Sequence, residues 1–142
     1  MIVLDTNVVS EAQRLHYDAN CAQWLADQQI ETLYITTPTI AEMAFGGHKI
    51  LLRDGSDRYI QTLDAVIARN FPSRVLPFDQ SAALIYGQIR AARQASGLPT
   101  PVIDLQIAAI CLAHDMTLAT RNWRDFEGLE LRLINPFDAS KN

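Results

Sequence analysis

Two acidic side chains occupy unusual positions in this 142-residue sequence. Asp5 ends the apolar run MIVLD, and Asp104 interrupts the nearly apolar segment VIDLQIAAICLA. A carboxylate beside a hydrophobic core is costly unless it is paired or bound to a metal ion. Glu42 and Asp125 are two further acids that follow predicted strands. Carboxylate oxygens prefer hard cations, so the four acids predict a site for Mg²⁺ or Mn²⁺ rather than zinc.

Such a site suits phosphodiester hydrolysis, because a bound divalent ion holds phosphate and can turn bound water into hydroxide. Structural interpretations of the acids stay open beside this one. Asp5 could cap the turn that follows it. Asp104 could be an acid of a first helical turn that the helix dipole stabilises, and Glu42 could simply be one of the many Glu residues found on helices. The sequence has no Ser-His-Asp arrangement, GxGxxG segment or Walker A segment that would indicate another chemistry.

The composition is that of a globular protein, with 49% hydrophobic and 20% charged residues. It excludes an intrinsically disordered chain. No apolar run approaches the ~18 residues of a membrane span, and the N-terminus has no basic leader, so we expect a soluble, cytoplasmic protein without a membrane partner. The net charge of −4 argues weakly against nucleic-acid binding.

The basic residues could still serve RNA binding, because most of the 12 are Arg and a guanidinium suits phosphate. Arg74 directly precedes a predicted strand and Arg93 lies on a predicted helix. The alternative is a solvated surface of mixed charge, and the sequence does not decide between the two.

Short apolar strands alternate with helical segments, which predicts a single α/β domain with a mostly parallel sheet. The predicted strands span residues 1–5, 33–36, 75–76, 117–120 and 131–134. The predicted helices span residues 19–29, 38–52, 56–70, 80–96 and 102–114. Ligands of such sheets bind outside the carboxyl ends of the strands. The acids follow strands or lie in adjoining helices, so we expect them to converge there.

Longer motifs resemble those of PIN-domain ribonucleases, specifically VapC-type toxins of bacterial toxin–antitoxin pairs in the FitB-like branch. The motifs are MIVLDTNVVSE at the start, PTIAEMAFG around Glu42, PFD at 77–79, Asp104 in its helix, TLATRNWRDFEGL at 117–129, and INPF near the end. The likeness covers essentially the whole chain in the same order and spacing. The combination of LDTNVVSE and ATRNxxDF is its most specific part.

The resemblance implies one PIN domain over residues 1–142, with a core to about residue 136 and a short C-terminal tail. It implies a Rossmann-like parallel β-sheet flanked by helices. The implied activity is that of an endoribonuclease that depends on Mg²⁺ or Mn²⁺ and hydrolyses RNA. A homodimer and inhibition by a cognate antitoxin are also implied.

The same resemblance assigns roles to individual residues. Asp5, Glu42 and Asp104 match the family's first three acids, and Asp5 and Asp104 are expected to hold the metal ion. Some relatives carry a fourth acid at the position of Asn122, whereas many VapC-like chains share the Asn of this chain. We therefore assign Asp125, three residues further on, as the fourth catalytic acid. Its contact with the metal could be direct, through water, or only structural.

Polar residues near the acids are expected to support them. The candidates for orienting carboxylates are Thr6, Asn7, Thr120 and Asn122. Arg121 and Arg124 are candidates for contact with the RNA backbone, and salt bridges with Glu127 or Glu130 are the alternative.

Two helices carry more apolar residues than one core can use, which predicts a symmetric homodimer. These residues are Phe45, Ile50, Leu51, Leu52, Tyr59 and Ile60. An acidic cleft also invites a basic plug. We therefore expect an antitoxin with an apolar helix and an Arg- or Lys-bearing segment. Its helix would lie near Val9, Leu15 and Trp24 on one side and Met43 and Leu52 on the other.

Other acidic Mg²⁺ pockets fit the sequence less well. A haloacid-dehalogenase phosphatase needs an acid two residues after its nucleophile, where this chain has Asn7. A receiver domain needs a late lysine, and Lys49 and Lys141 fit poorly. A degenerate PIN domain that only binds RNA or protein remains the alternative, although the presence of all four acids argues against it.

Overall fold

A five-stranded parallel sheet forms the centre of the protein, for which the computed structural model describes residues 1–138. The strands are β1 Ile2–Leu4, β2 Leu33–Thr36, β3 Val75–Leu76, β4 Thr117–Ala119 and β5 Leu133–Ile134. Their order is β3-β2-β1-β4-β5, and every pair is parallel. The chain runs outward from β1 to β3 and then returns to place β4 on the other side of β1. The order therefore reverses between β1 and β4, which is where such sheets open a crevice for ligands.

Six α-helices cover the sheet. They are α1 Thr6–Ala12, α2 Ala19–Ala26, α3 Thr37–Asp54, α4 Arg58–Asn70, α5 Gln80–Ala95 and α6 Val102–His114. Two short 3₁₀ helices, Ile30–Thr32 and Trp123–Phe126, complete the described elements. The predicted α/β architecture is confirmed, and the prediction of α6 matches its observed bounds.

The helix α1 is the main element that the sequence pattern did not predict. Its segment TNVVSEA is rich in β-branched residues, which have modest helix propensity. Tertiary packing stabilises the helix instead, because Val8 and Val9 are buried against the sheet. The Asp5 side chain caps it by accepting a hydrogen bond from the Thr6 amide.

The sheet carries a hydrophobic core on each face, as period-2 alternation requires. On β1, Leu4 packs with α1, α2 and α3, whereas its neighbour Val3 packs with α6 and the loop before β5. The free cysteines Cys21 and Cys111 are buried in these cores, one on each side. Among residues 1–138, no helix is both long and apolar enough to cross a membrane.

The long helix α3 continues without interruption through a pair of glycines. Gly47 is buried and faces α4, where an added Cβ would lie 2.6 Å from side-chain atoms of Ile60 and Tyr59. Nothing lies within 4 Å of the corresponding position at Gly46. Gly47 thus permits the close approach of α3 and α4.

The expected C-terminal tail is only partly described. Phe137 still packs against the core. Residues 139–142 lie outside the described part of the chain.

Candidate active site

The candidate site lies where the central strands β1 and β4 end side by side. Leu4 pairs with Ala119 in the parallel ladder, so the next residues along the chain, Asp5 and Thr120, meet at the carboxyl edge. The Thr120 hydroxyl donates a 2.6 Å hydrogen bond to Asp5 Oδ2. Both residues are buried, with 3% and 0% of their surface exposed.

Asp5 is held by hydrogen bonds on both carboxylate oxygens. The Thr6 amide donates to Oδ1 at 2.7 Å, and Asn7 Nδ2 donates to Oδ2 at 2.9 Å. Burial raises the pKa of Asp5, and the hydrogen bonds from Thr120, Thr6 and Asn7 oppose that rise. Asp5 is therefore both the cap of α1 and a fixed carboxylate at the cleft.

Glu42 approaches the same cleft from α3. Burial raises its pKa, and the charge of Asp5 adds to the rise. The Thr6 hydroxyl lies beside Glu42 and lowers this pKa. Thr6 Oγ1 is nevertheless buried without a partner at full hydrogen-bonding geometry.

Asp104 is the most strongly perturbed acid of the four. It lies in the first turn of α6 and is half-buried. Burial, followed by the charges of Asp5, Glu42 and Asp125, raises its pKa to about 7. The four predicted acids are therefore close enough to repel one another, although they come from four separate segments.

Asp125 is carried by the 3₁₀ helix Trp123–Phe126, and its charge raises the pKa of both Asp5 and Asp104. The structure thus brings all four sequence-predicted acids to one cleft. The catalytic role of each acid stays a prediction.

The polar residues predicted to orient the carboxylates form a network behind Asp5. Besides its bond to Asp5, Thr120 Oγ1 accepts a hydrogen bond from the Asn122 amide at 3.0 Å and one from Asn7 Nδ2 at 3.4 Å. Asn7 Oδ1 accepts from the Arg121 amide at 3.2 Å. Asn122 contributes to this network through its backbone, and the residue itself is exposed.

The two arginines predicted to contact RNA are exposed near this edge and stack on aromatic rings. The Arg121 guanidinium lies 3.7 Å from the centre of the Phe137 ring and 4.0 Å from Glu11 Oε2. Arg124 lies 5.5 Å from the centre of the Trp123 ring. The ion pair of Arg121 is thus with Glu11, which differs from the alternative that the sequence had suggested.

Two other arginines serve the fold, which corrects their interpretation as phosphate-binding or solvated residues. Arg74 donates to the carbonyls of Ile30, Leu33 and Asn70. Arg93 is only 8% exposed and donates to backbone carbonyls near Asp125. The five N–H groups of a guanidinium can donate to several backbone carbonyls as well as to a phosphate. Only the tertiary structure shows which acceptors are within reach.

The donor set of the cleft fits a hard divalent cation. Its donors are carboxylate and hydroxyl oxygens, which are the ligand atoms that Mg²⁺ and Mn²⁺ prefer. Mutual repulsion around Asp104 is what a cation would relieve. Among residues 1–138, no group of three or more His, Cys, Asp or Glu side chains is arranged to coordinate a metal ion in the present conformation.

Sequence comparison identifies the fold family. The family model described as the PIN domain matches residues 2–130. The chain belongs to the PIN-domain family. This agrees with the parallel sheet and with the cleft at its carboxyl edge.

Several curated proteins resemble this PIN domain over nearly their full length. The plasmid stability protein StbB of Pseudomonas syringae pv. tomato is 39% identical, with 98% of this chain and 100% of that protein covered. The VapC ribonuclease Y4jK of Sinorhizobium fredii is 36% identical, with 97% and 99% covered. Toxin FitB of Neisseria gonorrhoeae is 34% identical, with 96% and 99% covered.

A solved structure also resembles this PIN domain closely. The crystal structure of FitAcB from Neisseria gonorrhoeae superimposes with a TM-score of 0.86 and 34% identity. The match covers 96% of this chain and 99% of that chain. The predicted PIN fold and the recognised family are thereby confirmed.

Proposed function

We propose that this protein is the toxin of a toxin–antitoxin pair and acts as a metal-dependent endoribonuclease. One observation carries the proposal: four acids from separate segments meet at the carboxyl ends of β1 and β4. The family assignment and the relatives named as a VapC ribonuclease and a toxin support a nuclease and a toxin.

The proposed cofactor is Mg²⁺ or Mn²⁺, held by Asp5 and Asp104. When bound, such an ion polarises the scissile phosphate and stabilises negative charge on the leaving oxygen. Glu42 and Asp125 position the attacking water or a second ion. Asn7 and Thr120 fix the Asp5 carboxylate through the hydrogen bonds described above.

The proposed substrate is RNA, whose backbone would pass along the carboxyl edge of the sheet. Arg121 and Arg124 are exposed there, so their guanidinium groups can reach phosphate oxygens while stacked on Phe137 and Trp123. We propose the cytoplasm as the location, because cellular RNA is accessible there.

The proposed protein partner is a cognate antitoxin that covers the cleft. A cavity of about 640 Å³ adjoins the acids and has a largely apolar lining that includes Glu42, Phe45, Ile50, Tyr59 and Ile103. It accepts an apolar helix whose basic residue points toward the carboxylates.

The helices predicted to form the antitoxin groove contribute both buried and exposed residues. Val9 and Trp24 are buried in the core, and Met43 is buried but also lines this cavity. Leu15 and Leu52 are exposed, with 88% and 87% of their surface accessible.

A homodimer is the proposed assembly. Phe45 is 67% exposed and Leu52 is 87% exposed, and they lie seven positions apart on α3, so they share one helix face. Two such faces could pack across a two-fold axis.

The experiment that tests the activity uses protein purified free of any partner. With Mg²⁺ present, we expect cleavage of total cellular RNA at mappable ends, and none after chelation. Asp5→Asn and Asp104→Asn should each lower cleavage to below about 1% of the wild-type rate, since each removes a metal ligand.

The matched control is Asp115→Asn, because Asp115 is an exposed acid at the far end of α6. It should cleave like the wild type. Folded Asp5→Asn protein that cleaves at the wild-type rate would overturn the site, and a wild-type protein that binds RNA without cutting it would favour the degenerate binding module.

A further inference from the structure

Arg93 lies on α5 and is buried, which is unusual for an arginine. α5 is otherwise buried mainly through small or half-buried residues, and Ala82 is its other buried residue. Arg93 is 8% exposed, and no carboxylate among residues 1–138 lies within ion-pairing distance of it. Burying a cation without a carboxylate partner is costly. The hydrogen bonds that Arg93 makes instead must therefore offset this cost.

The Arg93 fork holds the loop of one candidate catalytic acid. Its Nη2 donates to the carbonyl of Asp125 at 2.7 Å, and its Nη1 donates to the carbonyl of Glu127 at 2.5 Å. Between these carbonyls, Phe126 is buried in the core. The fork therefore fixes the backbone on both sides of Phe126, including the residue that carries the Asp125 carboxylate.

The same guanidinium reaches the segment that leads into Asp104. Its Nε donates to Thr100 Oγ1 at 3.0 Å, two residues before α6 begins at Val102. Thr100 Oγ1 also lies 3.4 Å from the Asp125 carbonyl. One side chain thus joins the entry to α6, which bears Asp104, to the 3₁₀ helix that bears Asp125.

This arrangement needs the geometry of arginine. Three acceptors from two segments surround one planar group, and its rigid set of donors serves all three. A lysine has a single charged nitrogen at the end of a flexible chain, so it cannot meet the three acceptors in these directions.

We propose that Arg93 is a positioning residue of the acidic site: it sets the separation of Asp104 and Asp125 by joining their segments. This inference rests on the proposed function, because the spacing matters only if the acids bind a metal ion. Arg93 touches neither the acids' carboxylates nor substrate, so it acts through the backbone.

The test measures Mn²⁺ binding by calorimetry on folded, metal-free protein without RNA. Arg93→Lys should raise the Kd for Mn²⁺ by about 10-fold or more, the range seen when residues that orient metal ligands are lost. The matched control is Arg90→Lys, since Arg90 lies one turn earlier on α5, is exposed, and bonds only to Tyr86 of the same helix.

A double-mutant cycle separates positioning from general stability. Asp125→Asn should itself weaken Mn²⁺ binding, and adding Arg93→Lys to it should raise the Kd by less than about 2-fold. If Arg93→Lys does not fold, Thr100→Val gives the same comparison by removing one acceptor of the fork, with an expected rise of about 3-fold.

The outcomes distinguish the two proposals. A wild-type protein that binds no Mn²⁺ overturns the proposed metal site and this inference together. Wild-type binding with an unchanged Kd in Arg93→Lys overturns the inference alone. So does a Kd unaffected by Asp125→Asn, or a fully additive cycle.

Discussion

At the scale of single residues, Asp5 shows how one side chain can serve the fold and the site together. Its oxygens offer about four acceptor positions. Three are used, by Thr6 on Oδ1 and by Asn7 and Thr120 on Oδ2. One position on Oδ1 remains for an ion or its water. The capping and metal-binding interpretations of Asp5 are therefore compatible, because they use different parts of the same carboxylate.

The perturbed pKa of Asp104 predicts a pH dependence of stability for metal-free protein. The pKa rises from 3.8 to about 7 on folding, so between these values the folded state binds more protons than the unfolded state. The free energy of unfolding should therefore fall as pH rises through this window. From pH 5 to pH 7, this one group should contribute a loss of about 1 kcal/mol, once screening by solvent at this half-buried site is allowed for.

Urea denaturation of Asp104→Asn in chelator tests this expectation. The substitution removes the titrating group, so its stability should vary less between pH 5 and pH 7 than that of the wild type. It should also exceed wild-type stability at pH 7. Asp64→Asn, at an exposed acid of α4, serves as the control and should keep the wild-type slope. Parallel pH profiles for wild type and Asp104→Asn would contradict the assigned environment.

At the scale of elements, the cleft depends on which strands and helices are neighbours. The pairing of β1 with β4 brings Asp5 to Thr120, although 115 residues separate them. Helix α3 delivers Glu42, and its position depends on packing against α4 at Gly47. A substitution that disturbs the contact between α3 and α4 should therefore lower the stability of the protein.

The adjacent glycines of α3 offer a matched pair of substitutions. Gly46→Ala meets nothing within 4 Å, so better helix propensity should stabilise the protein by up to ~1 kcal/mol. Gly47→Ala gains the same propensity, but its Cβ would collide with Tyr59 and Ile60. Overpacking of this kind costs about 1–3 kcal/mol.

Thermal or urea denaturation should rank Gly46→Ala above Gly47→Ala by at least about 1 kcal/mol. Equal stabilities would mean that α4 shifts freely away from α3. The close approach at Gly47 would then be unimportant for the fold.

At the scale of the whole molecule, the described surface retains large exposed apolar side chains on several helices. Leu52 on α3 and Leu84 on α5 are 87% and 71% exposed. Exposed large apolar side chains can contribute to association where they lie in one patch. Leu52 is therefore a candidate contact for the proposed dimer.

The proposed dimer predicts a clear effect of one charged substitution. Leu52→Glu would place a carboxylate in an apolar interface, so light scattering at micromolar concentration should show a dimer for the wild type and a monomer for the variant. Leu15→Glu is the control, because Leu15 is equally exposed in the segment between α1 and α2. A monomeric wild type would refute the dimer, and a dimeric Leu52→Glu would place the interface elsewhere.

The sequence by itself determined the α/β class and most element bounds, and it identified the four acids as candidates. Its apolar strands, turn residues and caps such as Asp79 are local features, and local features can be read from the chain. It missed α1, whose stability comes from buried Val8 and Val9 rather than from propensity.

Only the tertiary structure decided how the acids interact and which arginines are exposed beside them. Asp104 acquires its raised pKa from burial and from charges on three other segments, and no local pattern encodes such distances. Arg93 and Arg121 have the same chemistry in the sequence, yet one is buried on backbone carbonyls and the other is exposed on an aromatic ring. The physical reason is that burial, electrostatic coupling and hydrogen-bond acceptors are set by residues distant in the chain, which come together only when the sheet and helices have packed.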